Sequence, residues 1–414
     1  MRTKIEVLNL QSKDMKSSLL AISLIFLTFL STSFIHKVKT LKSYGPKSAN
    51  AIQERLEENR SLNEKNIVLD FALKEFKIDS MFRNLSNANR FNGCVLVAQH
   101  GKVIYKNSFG IANPMLNEPL TNNSVFQLAS VSKTITGVAV LQLIEQEFLG
   151  LDDYVSLYFP AFPYRNVTIK HLLCHMSGIP DYIKLDPSVY RGSGQYLNNE
   201  DALHGIVLAN RPLEFTPGSR FRYNNSNYAL LALLVEKISG TSFPKYVETN
   251  IFRPLEMHNS FIAHPEKIWE KSNRTFGFHG RAMVSNDKFD GVFGDKGAYS
   301  TIEDMFKFDR ALYPNILLNE NTLRLAFTNN VFGSKKQYGL GFRLREDQNN
   351  QKIIYHNGWW HGYRTAFHRR ESDNSCVVIL SNRLDMVVYS KAKELFNVLD
   401  NYYPALYEGE VEDE

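Results

Sequence analysis

CVLVAQHGKVIYKNSFG, residues 94–110, reads as two β-rich runs on either side of His100-Gly101, with the glycine where a hairpin turn needs it. The far end of the chain mirrors it. KIIYHNG (352–358), YRTAFHRR (363–370) and NSCVVILSN (374–382) read as three more short strands, and residues 385–399 have the spacing of an amphipathic closing helix. Apolar residues also recur at helical spacing from Asn66 to Ala88, with a break expected near Asp79. Strands near both termini, joined by hairpins, predict one antiparallel sheet built from the two chain ends and flanked by terminal helices. The middle, about 121–290, is patterned as helix instead: VSKTITGVAVLQLIEQEFLG (131–150), NVTIKHLLCHMSG (166–178) and NYALLALLVEKISG (227–240). The expected fold class is α/β (α+β), an antiparallel sheet with a large, mainly helical insertion. A cleft between the two is the natural place for a site.

Composition narrows the function without naming it. The 414 residues are 43% hydrophobic and 22% charged, ordinary values for a globular chain. The formal charge of +5 is small, and no run of Lys and Arg interleaved with aromatics tracks a phosphate backbone, so nucleic acid is not an expected partner. Cys94, Cys174 and Cys376 lie far apart, in an odd count and without zinc spacing. Cys94 and Cys376 open apolar runs and read as small buried hydrophobes.

The N-terminus stands apart. KSSLLAISLIFLTFLSTSFI (16–35) is a basic start, an apolar stretch and then small residues at Ser31-Thr32-Ser33, the pattern of a cleaved signal peptide. An uncleaved membrane anchor is the competing reading, and both place the rest of the chain outside the cytoplasm, periplasmic or extracellular. The expected organisation is a leader or anchor at 1–36, a polar tether at 37–66, a folded domain at 67–405 and an acidic tail at 406–414.

Nucleophilic cleavage of an amide or ester needs a hydroxyl, a base to activate it, and donors for the oxyanion. Ser130-Val131-Ser132-Lys133 offers the first two. If Ser130 opens the helix that runs to about Phe148, Lys133 lies one turn later on nearly the same face. The hydroxyl then sits at a helix N-terminus with its own N–H free, and burial would favour the neutral amine as base. The same Ser-x-x-Lys pattern occurs at Ser242, Ser285 and Ser390, but only Ser130 combines a helix start with a long apolar continuation. The bland alternative is a simple N-cap serine.

The surrounding words decide between them. FQLASVSKTITGVAVLQLIEQ (126–146), HLLCHMSGIPDY (171–182), PGSRFRYNNSNYALLALLVEKISG (217–240), GDKGAYSTIEDMFKF (294–308), YGLGF (338–342) and HNGWWHGY (356–363) follow in that order. Over about residues 88–385 the chain resembles the family of class C β-lactamases, serine D-alanyl-D-alanine carboxypeptidases and related esterases. The resemblance implies a β-lactamase/transpeptidase-like fold, with Ser130 as nucleophile and Lys133 as its partner. It implies that Tyr223 relays a proton and that Asn225 contacts substrate. His356-Asn357-Gly358 matches the third family element, so His356 is expected to face the substrate or its leaving group. Gly358 is expected to let substrate approach the strand, and the N–H of Trp359 to complete the oxyanion hole with that of Ser130.

His171 and His175, spaced i, i+4, could suggest a metal pair, but no HExxH glutamate or third ligand accompanies them, and no metal or cofactor is expected. Cys174 stands where relatives commonly carry Thr, and is expected to be buried and inert. Two departures argue against a dedicated β-lactamase. His356 replaces the usual lysine, so a fixed cation for a drug carboxylate is missing unless an arginine such as Arg364 serves, and Trp359-Trp360 would crowd the cleft edge. The expected partner is a small-molecule or peptide substrate, most simply a D-amino-acid peptide or small ester. β-Lactam hydrolysis and a catalytically silent cell-envelope binding protein are the alternatives.

Overall fold

The computed structural model describes residues 67 and 69–400, apart from 269–272, 281, 333, 335 and 385. The leader or anchor (1–36), the tether (37–66) and the acidic tail (406–414) lie outside the described residues. The chain divides into two units, 1–71 and 72–414. Of the first, residues 67 and 69–71 are described and all are helical.

The second unit is built on seven strands. A helix, α1 (72–87), precedes the hairpin of β1 (Gly93–Gln99) and β2 (Lys102–Phe109). Residue 79 lies within continuous helix, so the break expected there does not occur; the Asp79 carboxylate accepts from Tyr105 Oη at 3.0 Å and Asn107 Nδ2 at 3.2 Å. The sheet resumes only at β3 (Gln337–Tyr338) and β4 (Arg343–Glu346), followed by β5 (Lys352–Trp360), β6 (Tyr363–Arg370) and β7 (Ser375–Ser381). The strand order is β3-β4-β5-β6-β7-β1-β2, antiparallel throughout, so the two ends of the chain meet where β7 pairs with β1. Every residue of β1 and β7 is buried, because both faces of these central strands are covered. The helix Ile302–Ala311 packs on β1 and β7, and the closing helix Val387–Leu399 on β6 and β7.

The insertion between β2 and β3 is longer than 121–290, since helices continue to Ala326. Two helices in it position the site. One is α2 (Ser132–Glu145), whose residues from Ser132 to Leu141 are all buried, so it is a core rod rather than a surface helix. The other is α3 (Asn225–Ser239), begun by Asn224, whose side chain accepts from Ser226 N, and stopped by Gly240 in the left-handed region. All three cysteines are free and buried.

Candidate active site

Ser130 lies in a 3₁₀ turn, Ala129–Val131, immediately ahead of α2, rather than opening the α-helix itself. Ala129 sits at φ +50°, a backbone conformation that costs a non-glycine residue on the order of 1–3 kcal/mol and survives where its surroundings over-determine it. Here Leu128 N donates to Ala298 O (2.8 Å), and Leu128 O accepts from Thr365 Oγ1 (2.7 Å). The turn is therefore clamped between the sheet and the insertion, and the serine is presented at the mouth of the buried helix.

One turn on, Lys133 is fully buried and points back at the serine. Its Nζ lies 3.2 Å from Ser130 Oγ, 3.1 Å from Asn225 Oδ1 and 2.7 Å from the Asp295 carbonyl oxygen. These three acceptors match the three donors of an ammonium. Asn225, at the first turn of α3, is held in turn by Asp181, whose carboxylate its Nδ2 reaches at 3.5 Å. Burial pushes the Asp181 carboxyl upward, against the pull of Lys184.

Tyr223 packs its ring on His175 (centroids 4.4 Å apart), with Lys133 Nζ and the Arg343 guanidinium each 4.9 Å from its centre. Its hydroxyl is buried and has no hydrogen-bond partner among the described residues, so it is not hydrogen-bonded to Ser130. Both residues nonetheless line one cleft of about 450 Å³, together with Asn225, Asp295, Lys296, Arg343, Tyr355, Asn357, Trp359, Trp360 and Tyr389.

The third element needs correction. His356 does not face the cleft. It is fully buried, with Nε2 3.2 Å from Tyr338 Oη and Nδ1 2.8 Å from Asn357 O. Burial, with Arg343 and Lys133 nearby, pushes its pKa well below the usual histidine value and keeps the ring neutral. The pleat explains the difference: Tyr355, Asn357 and Trp359 line the open cleft, whereas His356 is buried behind it, its ring centroid 6.2 Å from that of Tyr223. Gly358 is required by the fold itself. A Cβ there would lie 2.3 Å from Leu128 O and 2.3 Å from Thr365 Oγ1, so its absence lets the strand close on the serine turn. Gly358→Ala is expected to cost about 1–3 kcal/mol through forced displacement of that turn. Thermal unfolding checks this, and an unchanged midpoint with unchanged turnover would show that the contact is slack.

His171 and His175 do not share a helix face. The helix Ile169–Leu173 ends before His175, which has φ +57° and bonds Asn224 N (3.2 Å) and Asn227 Nδ2 (3.1 Å), whereas His171 Nδ1 accepts from Thr168 N. Among the described residues the one grouping with metal-ligand geometry is elsewhere, Asp287, Asp290 and His361. Its histidine makes ion pairs with both carboxylates; burial works against its proton, and the two aspartates raise it to about 9.

Arg364 does not line the cleft and stacks over Tyr389. The cations that do line it are Lys296, inside GDKGAYST, and Arg343, directly after YGLGF; neither stands out from the sequence alone. Arg343 pairs with no carboxylate among the described residues; it lies over Tyr223 and, at 5.8 Å, over Tyr338.

Comparison with known proteins agrees with this architecture. The family model described as Beta-lactamase matches residues 78–398. Penicillin-binding protein 4* of Bacillus subtilis is 32% identical over 340 residues, covering 77% of this chain and 74% of its own. Esterase EstB of Burkholderia gladioli is 31% identical over 222 residues, 48% of this chain and 55% of that one. A crystal structure of a penicillin binding protein from Bacillus halodurans superposes with a TM-score of 0.68 at 28% identity, covering 78% of this chain and 98% of that one. With the antiparallel sheet and the serine turn at the head of a buried helix already in place, the chain belongs to the Beta-lactamase family of serine hydrolases.

Proposed function

We propose that this protein forms an acyl-enzyme on Ser130 and cleaves an amide or ester whose leaving group carries a carboxylate, a D-alanyl-D-alanine-type peptide above all. The observation that carries the reading is the contact between Ser130 Oγ and Lys133 Nζ at the base of a cleft that also presents Arg343, which has no carboxylate partner among the described residues. In the acylation step Ser130 Oγ bonds to the substrate carbonyl carbon and the bond to the leaving nitrogen or oxygen breaks. The serine proton passes through Lys133 and the free Tyr223 hydroxyl to the leaving group. The N–H groups of Ser130 and Trp359 stabilise the oxyanion, and Asn225 orients the amine and the substrate. Water then reverses the path to release the acid.

Arg343 gives the leaving-group carboxylate its partner, since an unpaired guanidinium beside the proton relay is suited to bidentate capture of a planar anion. Arg343→Gln is expected to lower kcat/KM for an acyl-D-Ala-D-Ala peptide by about 10- to 100-fold, the worth of a charge-assisted hydrogen bond. A neutral nitrophenyl ester should change less than about threefold by the same reasoning. An equal fall for both substrates would refute the carboxylate preference. The same arginine supplies the cation that a β-lactam carboxylate needs, so β-lactam acylation is the second reading. Trp359, 59% exposed at the rim, and Trp360 narrow the room for a bulky acylated drug. The apolar run at 16–35 supports an exported protein, periplasmic or extracellular; the mass of the mature chain in soluble and membrane fractions separates a cleaved leader from an anchor.

A further inference from the structure

Lys296 has a buried ammonium, 3% exposed, on the wall of the cleft. It donates to Tyr182 Oη and pairs with the Asp295 carboxylate at 3.2 Å, while Tyr182 Oη donates to the same carboxylate at 3.0 Å. Its remaining side faces the Trp360 ring, 4.8 Å from the centroid, and Trp360 Nε1 is itself fixed on Asp290 Oδ1 (2.6 Å). The residue in this closed triangle that matters for chemistry is Asp295, because its backbone carbonyl is the shortest of the three contacts made by Lys133 Nζ.

We propose that Lys296 is a positioning residue for hydrolysis: by pairing with the Asp295 carboxylate inside the cleft wall it fixes the peptide whose carbonyl holds Lys133, and it cancels a negative charge that would otherwise bind the catalytic proton more tightly. The inference rests on the reading of Ser130 and Lys133 as the reacting pair. The groups that face Lys133 are the Asp181 carboxylate beyond Asn225, Asp295, the rings of Tyr223 and Tyr228, the buried His175 and His356, both kept neutral, and Arg343 across Tyr223. Those that face Lys296 are Asp295, Tyr182 and Trp360, with Asp287 within reach of its field. Within this wall the buried Asp295 carboxylate is paired with the buried Lys296 ammonium. Deleting one ammonium leaves an uncompensated negative charge beside the pair that must give up a proton. The sign is the same whether Lys133 or Tyr223 carries it, because loss of a nearby positive charge favours the protonated form of either.

Lys296→Met should therefore move the acidic limb of the kcat/KM–pH profile upward by about one unit, the low end for a charge a few ångströms away. At pH values below the limb, activity should fall about tenfold, mostly in kcat, for a neutral nitrophenyl ester. Lys296→Arg should keep the limb near its wild-type place. The double variant Asp295→Asn/Lys296→Met removes both charges and should return the limb to within about 0.3 unit of wild type, even if Lys296→Met alone proves poorly folded. An unmoved limb in folded Lys296→Met, or a double variant shifted as far as the single one, would overturn the proposal. Ser130→Ala, run alongside, separates the two ideas: persistent activity there sinks the nucleophile itself, whereas a dead Ser130→Ala with an unmoved Lys296→Met profile sinks only the role of Lys296.

Discussion

Ser130→Ala is expected to lower kcat/KM for every ester or peptide the protein cleaves by roughly ten-thousand-fold or more, with the loss in kcat. Removing a nucleophile from a set that works as a unit leaves only binding and oxyanion stabilisation, so such losses are of the order of 10⁴ to 10⁶. The fold should be indifferent to the change. The serine hydroxyl contacts Lys133, whose ammonium keeps its bonds to Asn225 and to the Asp295 carbonyl. KM should stay within a few-fold, since Arg343, Asn357 and the Trp359-Trp360 wall remain. Adding Lys133→Met to Ser130→Ala should cost almost nothing further, because the amine acts only through the hydroxyl. Residual turnover above about one percent, measured on thermally intact protein, would place the reaction on another group.

The second large effect is on stability. Arg369, on β6, is completely buried, and its Nε donates to Asp309 Oδ1 at 2.8 Å, with Asp309 equally buried in the helix Ile302–Ala311. The guanidinium lies over Tyr313 (4.6 Å) and Phe327 (5.2 Å), and its two terminal nitrogens find no hydrogen-bond acceptor among the described residues. Asp309 also receives Arg310, so one carboxylate serves two cations where helix meets sheet. Asp309→Ala would strand a buried charge whose other carboxylate neighbour, Glu371, is 3.5 Å away and partly exposed. Breaking a buried pair on one side costs about 3–5 kcal/mol. Urea unfolding should show that loss, with a smaller one for Asp309→Asn; a change below about 1 kcal/mol would mean that water or Glu371 already carries the charge.

Much of the fold could be read from the chain because its longest strands alternate or run apolar over seven to nine residues, long enough for a period to show. Gln337–Tyr338 and Arg343–Glu346 are two and four residues long, too short for any pattern, and they were missed along with the arginine that opens the second. Ser130, Lys133 and Asn225 come together as the words around them imply. His356 joins them behind Tyr223 but does not line the cleft, because a motif match names residues while the pleat decides which of them is open to it. Asn357 was one step away, and counting by two from Trp359 would have found it. Lys296 had no such signal: its role depends on Tyr182 and Trp360, which are far from it in sequence and meet it only in the fold.

The central claim, that the chemistry runs through a covalent bond to one serine, is tested most directly by intact-mass spectrometry after exposure to a fluorophosphonate or a penicillin. One adduct per chain is expected, located after digestion on the peptide containing Ser130 and absent from Ser130→Ala. An unmodified mass in protein that still hydrolyses ester, or an adduct on any other residue, would contradict it.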